Sequence, residues 1–289
     1  MIRQKILVTG GAGFIGSHLC EALINDSSNE VYSLDNYFTG SEENHIKNVN
    51  YIKGNTSEID KLIDFVPNII YHLGEYSRVE QSFQDIEKVL KFNKEGTLSV
   101  LEFARKNAAK LIYAGSSTKF SDGNLGRKQS PYAWSKASNT ELVENYGSWF
   151  KMPYAIVYFY NVYGKREIAI GKYATLIALF KEKMRKGETL TVVNPGLQKR
   201  NFTHIDDIID GLILVGENGY GDQFGIGSPE SFTVHEIAKM FGGKVKMLPE
   251  RLGNRMDAEI YTTKTEEIGW KCKNKIADYI KELRVNNWK

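Results

Sequence analysis

Ile6-Leu7-Val8-Thr9-Gly10-Gly11-Ala12-Gly13-Phe14-Ile15-Gly16, near the start of a 289-residue chain, couples a short apolar run to a glycine-rich turn and an amphipathic segment. The apolar run reads as a buried parallel strand. Phe14, Ile15, Leu19 and Leu23 then fall on one side of a helix. Strand, glycine turn and helix in that order are the context of a dinucleotide-binding loop. In this reading Gly10 allows the tight turn, Gly13 lets the backbone approach a pyrophosphate, and Gly16 lets the helix pack on the strand. The helix N-terminus then faces the phosphate charge. The glycines are spaced G-x-x-G-x-x-G rather than G-x-G-x-x-G.

A second strand, Val31-Tyr32-Ser33-Leu34, ends at Asp35, the spacing at which an acid reaches the adenosine ribose hydroxyls. A carboxylate there repels a ribose phosphate, so NAD is expected over NADP. The residues that follow, Asn36, Tyr37, Phe38 and Thr39, contain no arginine to offset that repulsion.

Apolar runs and helical patterns alternate further along. Ile69-Ile70-Tyr71-His72-Leu73 precedes a helical segment from about Asp85 to Lys106, then the strand Leu111-Ile112-Tyr113-Ala114. A helix from about Tyr132 to Phe150 and a strand from Tyr154 to Phe159 continue the rhythm. This is the pattern of an α/β protein with a doubly wound parallel sheet, a Rossmann fold whose ligand lies at the carboxyl ends of the strands. Beyond Gly164 the pattern loosens into a helix at about Lys172 to Lys186, a strand at Thr189 to Val193, and a mixed lobe after Gly227. The expected organisation is an NAD-binding Rossmann domain over residues 1–165, rejoined by about 199–225. Residues 166–289 are expected to form mainly a smaller C-terminal mixed α/β substrate lobe.

Composition narrows the class. The charge of +3 arises from 38 basic and 35 acidic residues, too balanced and scattered for a nucleic-acid surface. The lysines between Lys181 and Lys186 read as the solvated face of a helix. Cys20 and Cys272 form no metal-ligand or redox motif and suggest a reducing compartment. Met1 to Lys5 run directly into the first strand, leaving no room for a signal peptide, and no apolar stretch reaches membrane-spanning length. A cytoplasmic enzyme is expected, with no metal and neither nucleic acid nor membrane as partner.

The chemistry is carried by Ser116-Ser117 at the end of a strand and by Tyr132-Ala133-Trp134-Ser135-Lys136. Pro131 stands where a helix would begin, and a spacing of four puts Tyr132 and Lys136 on one face of it. A free tyrosine has a pKa of about 10, and bringing it near neutrality takes roughly 4 kcal/mol of phenolate stabilisation. A lysine ammonium one turn away, together with a positive nicotinamide ring, would supply it. Tyr132 would then take a proton from a hydroxyl as hydride leaves the same carbon, with Ser116 holding the oxygen in line.

These residues together resemble the extended short-chain dehydrogenase/reductase family, the NAD-dependent sugar-nucleotide epimerases and dehydratases. The likeness rests on the glycine loop at 10 to 16, Asp35-Asn36 with Thr39-Gly40, His72-Leu73, Asn93 with Gly96-Thr97, Tyr132 with Lys136, Asn161-Val162-Tyr163-Gly164, and the run from Gln198 to Asp207. It spans nearly the whole chain. The resemblance implies NAD contacts from Gly10, Gly13, Phe14, Ile15, Gly16, Asp35, Asn36, Gly40, Leu73, Tyr132 and Lys136. It implies a nucleotide-diphosphate sugar as substrate, met by Ser116, Tyr132 and Asn161 and gripped at its diphosphate by Arg200 and Arg251. Guanidinium groups suit that task because they bind phosphate oxygens in a fork. His204 reads as structural. The family commonly pairs into a homodimer through the tyrosine helix, where Trp134, Leu142 and Val143 fit either an interface or a core.

The reaction is narrowed beside Ser116. The 4,6-dehydratases of the family carry Asp-Glu after the strand-end hydroxyl, where this chain has Ser117 and Thr118, and the related decarboxylases usually retain a glutamate there. Lys119 and Phe120 follow. Epimerisation at C4 through a transient 4-keto sugar is therefore expected, with a net dehydrogenase or keto-reductase, and a non-catalytic cofactor-sensing protein, as alternatives. Some positions depart from the family pattern: the short interval from Ser116 to Tyr132, Asn55-Thr56 near the expected adenine, Gly74-Glu75 in place of Ala-Ala, and Tyr158 in place of arginine.

Overall fold

The computed structural model describes residues 3–120, 126–250 and 259–288. In chain order the strands are β1 (Gln4–Thr9), β2 (Asn29–Asp35), β3 (Asn50–Lys53), β4 (Ile69–His72), β5 (Lys110–Ala114), β6 (Tyr154–Phe159), β7 (Val162–Tyr163), β8 (Leu190–Val193), β9 (Lys199–Asn201), β10 (Thr203–His204), β11 (Gly221–Ile226), β12 (Ser231–Thr233) and β13 (Val245–Leu248). The α-helices are α1 (Phe14–Ile24), α2 (Ile59–Leu62), α3 (Ile86–Val89), α4 (Gly96–Lys106), α5 (Pro131–Phe150), α6 (Leu176–Arg185), α7 (Ile205–Asn218), α8 (Val234–Phe241), α9 (Thr263–Glu267) and α10 (Ile276–Val285).

Seven strands form one parallel sheet in the order β11-β6-β5-β4-β1-β2-β3. Alternation along each strand divides the side chains between its two faces. Ile6 and Val8 of β1, Ile112 and Ala114 of β5, and Ala155 and Val157 of β6 pack in the layer that holds Leu19 of α1 and Leu212 of α7. Leu7, Leu111, Tyr113, Ile156 and Tyr158 point the other way, onto Val100 and Leu101 of α4 and Val143 of α5. Each fully buried aliphatic side chain contributes about 1.5–3 kcal/mol, so the sheet is held from both sides. This is a Rossmann-type α/β fold.

The chain leaves β1 toward β2 and β3, then returns to β4 on the other flank of β1 and continues outward. The resulting crevice lies between the carboxyl ends of β1 and β4, at the point where strand order reverses. Gly10 (φ +76) makes the turn there, and a Cβ on it would stand 2.9 Å from the backbone of Gly74. A Cβ on Gly16 would stand 2.1 Å from the carbonyl oxygen of Gly10.

Beyond β6 a smaller mixed lobe forms around Phe180, Leu190, Val192, Ile237, Phe241 and Ile280. It contains the parallel pair β8 and β13 and the antiparallel pair β9 and β12. From this region α7 and β11 run back to the main sheet, where β11 covers the edge of β6. Neither β3 nor β11 was expected from the sequence, because β11 opens on Gly221-Asp222-Gln223 and buries only its last three residues. The helix expected from Lys172 starts at Leu176, since Thr175 is extended at its N-cap and residues 172–173 turn away to reach Asp85. The helix expected over 85–106 contains a π turn, Leu90–Glu95, which carries buried Asn93.

Gly16→Ala is expected to destabilise the fold by at least about 2 kcal/mol, because its methyl meets backbone that cannot give way. The midpoint of urea unfolding measures it, and a shift below a few tenths of a kcal/mol contradicts the overlap.

Candidate active site

A cavity of about 720 Å³ opens at the carboxyl ends of the central strands and runs into the smaller lobe. Gly10, Gly13, Phe14, Ile15, Gly16, Asp35, Asn36 and Leu73 line one end of it, and Ser116, Tyr132 and Lys136 line the same cavity with Asn161 and Arg200. Gly40 borders Asp35, and a Cβ on it would stand 3.0 Å from the Asp35 carboxylate. Arg251 lies outside the described residues.

The glycine-loop end fits a dinucleotide. Gly10, Gly16 and Gly40 stand where a Cβ would meet the backbone of Gly74, the carbonyl of Gly10 and the Asp35 carboxylate, so the turn closes tightly at the crevice. Asp35 accepts from the amides of Ala12 at 2.9 Å and Tyr37 at 2.8 Å, which ties the glycine loop to the end of β2. Burial pushes its carboxyl above the usual range, against the two amides that favour its charged form. Asn36 donates to Asn55 at 3.1 Å, and Thr56 reaches the cavity wall.

Tyr132 enters near the start of α5. The Ser130 hydroxyl accepts from the Ala133 amide, and Pro131 holds the first helical position with its own missing N–H at no cost. The Tyr132 hydroxyl donates to Ser116 Oγ at 3.2 Å, and Ser116 Oγ in turn lies 2.9 Å from Thr118 Oγ1. Proton donor and oxygen holder are thus in contact.

Lys136 shares the face of Tyr132 but its Nζ is turned away, donating to Glu75 Oε2 and to the Ala114 carbonyl. Glu75 Oε1 accepts from Thr97 at 2.7 Å, Asn139 at 2.9 Å and Tyr113 at 3.2 Å. Thr97 Oγ1, with its proton given to Glu75, accepts from His72 Nε2 at 3.0 Å, and His72 Nδ1 accepts from Thr9 Oγ1 at 2.7 Å. Thr9 Oγ1 accepts from the Gly74 amide at 3.0 Å. Burial pulls His72 down to about 4, so the ring is neutral and the hydroxyls on either side set its tautomer. For Glu75, burial pushes the carboxyl up, while the Lys136 ammonium beside it and the bonds from Lys136 and Thr97 more than reverse it and hold it below the usual range.

Residues not singled out from sequence complete the wall. Arg78 donates from Nε and Nη2 to the Tyr173 carbonyl at 3.0 and 2.8 Å. Glu167 accepts from Thr175 Oγ1 at 2.7 Å and the Gly164 amide at 2.9 Å, and burial pushes its carboxyl up to about 7. The only sequence signals for these were a charged residue shortly after a buried strand end and an acid following the Asn161–Gly164 motif. Tyr158 and His204 serve structure: Tyr158 donates to Asp222 at 2.7 Å, and His204 caps α7. Among the described residues no cluster of metal-ligating side chains occurs, and no helix is long and apolar enough to cross a membrane.

A switch-point crevice with a glycine loop, an acid closing the second strand, and a Ser-Tyr pair beside a buried lysine defines a nicotinamide-dependent enzyme of the Rossmann class. The model of the NAD dependent epimerase/dehydratase family matches residues 6–227, and the chain belongs to that family. Its cofactor is NAD. It is 30% identical to UDP-glucuronic acid decarboxylase 3 of Arabidopsis thaliana, over 95% of this chain and 86% of that one. It is 28% identical to a putative UDP-glucose 4-epimerase of Methanocaldococcus jannaschii, over 98% and 97%. The fold superposes on the UDP-glucose 4-epimerase of Thermus thermophilus, solved with NAD, with a TM-score of 0.88 at 26% identity, covering 99% of each chain.

Two outcomes are expected. Asp35→Asn is expected to reduce the ratio of NAD to NADP affinity at least tenfold by removing the charge that repels a ribose phosphate, as measured by calorimetric titration with both cofactors. Glu167→Gln is expected to flatten the pH dependence of stability. With its pKa about 7 when folded against 4.5 when free, wild type holds a proton between these values that the unfolded chain has lost. Stability therefore falls as pH rises through that window, by on the order of 3 kcal/mol. Urea unfolding at intervals from pH 4.5 to 7.5 tests it, and parallel curves for the two proteins contradict it.

Proposed function

We propose that this chain is an NAD-dependent epimerase of a nucleotide-diphosphate sugar, acting at C4 through a transient 4-keto intermediate. The observation that carries the reading is the 3.2 Å contact between the Tyr132 hydroxyl and Ser116 Oγ, on a strand end where Ser117, Thr118, Lys119 and Phe120 offer no carboxylate. Elimination or decarboxylation needs an acid or base beyond the tyrosine. Of the acids lining the cavity, Glu75 is bonded to Lys136, Glu167 to the 164–175 turn and Asp35 to the glycine loop, while Glu80 opens the 80–83 turn after β4 rather than the strand end that carries Ser116.

NAD, when bound, accepts and returns the hydride. Tyr132 takes the proton of the sugar hydroxyl as the carbon is oxidised and gives it back when the other face is reduced, so no net proton leaves the site. Ser116, fixed by Thr118, directs its hydrogen bond at the same oxygen. Lys136 has two of its three N–H groups engaged, leaving one for a ribose hydroxyl of the cofactor. On the lobe side Arg200, held at Nη1 by its neighbour's carbonyl, and Asn161 face the cavity where a diphosphate would pass.

The family's likeness to UDP-sugar enzymes supports the substrate class. A cytoplasmic homodimer belongs to the same proposal. Trp134 on α5 and Leu98 on α4 are 44% and 47% exposed and are available to a second copy, whereas Val143 is committed to the core.

Incubation with UDP-, GDP-, CDP- and dTDP-sugars is expected to give one C4 epimer pair at equilibrium with only catalytic NAD consumed. Reduced nicotinamide accumulating in step with substrate loss overturns the epimerase and makes the enzyme a net dehydrogenase. Tyr132→Phe is expected to lower kcat by about 10²–10⁴-fold with NAD affinity little changed. A variant of undiminished rate removes Tyr132 from the reaction.

A further inference from the structure

Glu75 lines the cavity in a place that the epimerase reaction does not call for. Its side chain is 4% exposed and that of its partner Lys136 is 5% exposed, so the ion pair is inside the protein. One carboxylate oxygen faces the ammonium and the other collects the hydroxyl of Thr97, the amide of Asn139 and the phenol of Tyr113. A carboxylate with that many donors is ionised and has no alternative position.

A phenolate at Tyr132 is stabilised by a cation nearby and destabilised by an anion. A lysine alone contributes a full positive charge, and a lysine bonded to a carboxylate contributes little more than a dipole. The other titratable or charged groups are Arg78 in the loop after β4 and Tyr113 on β5, which face Tyr132, and neutral His72 at the end of β4 and Lys94 on the π turn, which face Glu75. Of these, His72 and Tyr113 carry no charge near neutral pH, and Lys94 is turned to Asn139 at 2.8 Å and Ser138 at 3.0 Å. Arg78 keeps its charge beside Tyr132 whether or not Glu75 is present, so Glu75 governs only the Lys136 share of the positive charge there.

We propose that Glu75 is a positioning residue of the proton-transfer site, holding the Lys136 ammonium against β5 and cancelling its charge, so that Tyr132 releases its proton at higher pH than an unpaired lysine would allow. The inference rests on the proton-transfer role given to Tyr132 above, and its consequence is an acid limb of turnover displaced toward alkaline pH.

The test needs no turnover. Ultraviolet difference titration of the full-length protein from pH 6 to 11, subtracting the same titration of Tyr132→Phe, isolates the Tyr132 phenolate. The same subtraction in a Glu75→Gln background is expected to move its midpoint down by about one pH unit or more, a tenfold or greater rise in the ionisation constant. An unmoved or raised midpoint in a variant that still melts cooperatively overturns the proposal and leaves Glu75 a packing residue. If Glu75→Gln does not fold, Glu75→Ala takes its place with the same two outcomes. Failure to find any nucleotide-sugar substrate would count against the epimerase reading and leave this titration standing.

Discussion

Two loops can meet at the centre of this sheet only because neither has a side chain to put between them. Gly10 closes β1 and Gly74 follows β4, and a Cβ on either would come within 2.9 Å of the other's backbone. That contact sets the width of the crevice where strand order reverses, and the glycine loop, Asp35 and the start of α1 are arranged around it. It also fixes what comes next in sequence. With Gly74 pinned through its amide to Thr9, Glu75 has to enter the interior beneath the site.

What keeps that interior acid tolerable is the number of its partners. A buried carboxylate without compensation costs several kcal/mol, and breaking a buried pair leaves the surviving charge stranded. Here β1, β4, β5, the π turn with α4, and α5 each contribute to one hydrogen-bonded network running from Thr9 through His72, Thr97 and Glu75 to Lys136. Proton directions along it agree with a neutral imidazole, so every buried member is satisfied. The network joins the strand that bears the cofactor loop to the helix that bears the tyrosine.

The features that could be read from sequence are those whose meaning is local. The glycine loop, Asp35 at the end of β2, and Tyr132 and Lys136 one helical turn apart depend on spacing, and spacing survives folding. Spacing showed which face Lys136 occupies but not where its ammonium points, because its partners Glu75 and Ala114 lie 61 and 22 residues away. Glu75 in isolation resembles a solvated loop acid; only the return of Thr97, Tyr113 and Asn139 makes it a core residue. β11 escaped because its Asp222 is polar for a tertiary reason, accepting from Tyr158 and pairing with Lys119 at 3.0 Å. Trp134 and Val143 were equivalent in pattern, and the structure sends one outward and the other into the core.

The return of β11 to the edge of β6 makes the smaller lobe an interruption of the sheet rather than an addition to its end. A chain stopped near residue 165 would retain the glycine loop and the tyrosine helix, yet it would leave the backbone of β6 unpaired along its outer edge. It would also uncover Ala155 and Val157, which α7 and β11 now shield. An open edge of that kind invites pairing between molecules. Exchange of the smaller lobe therefore requires two junctions, one on each strand of the connection, because a single crossover would leave the edge of β6 open.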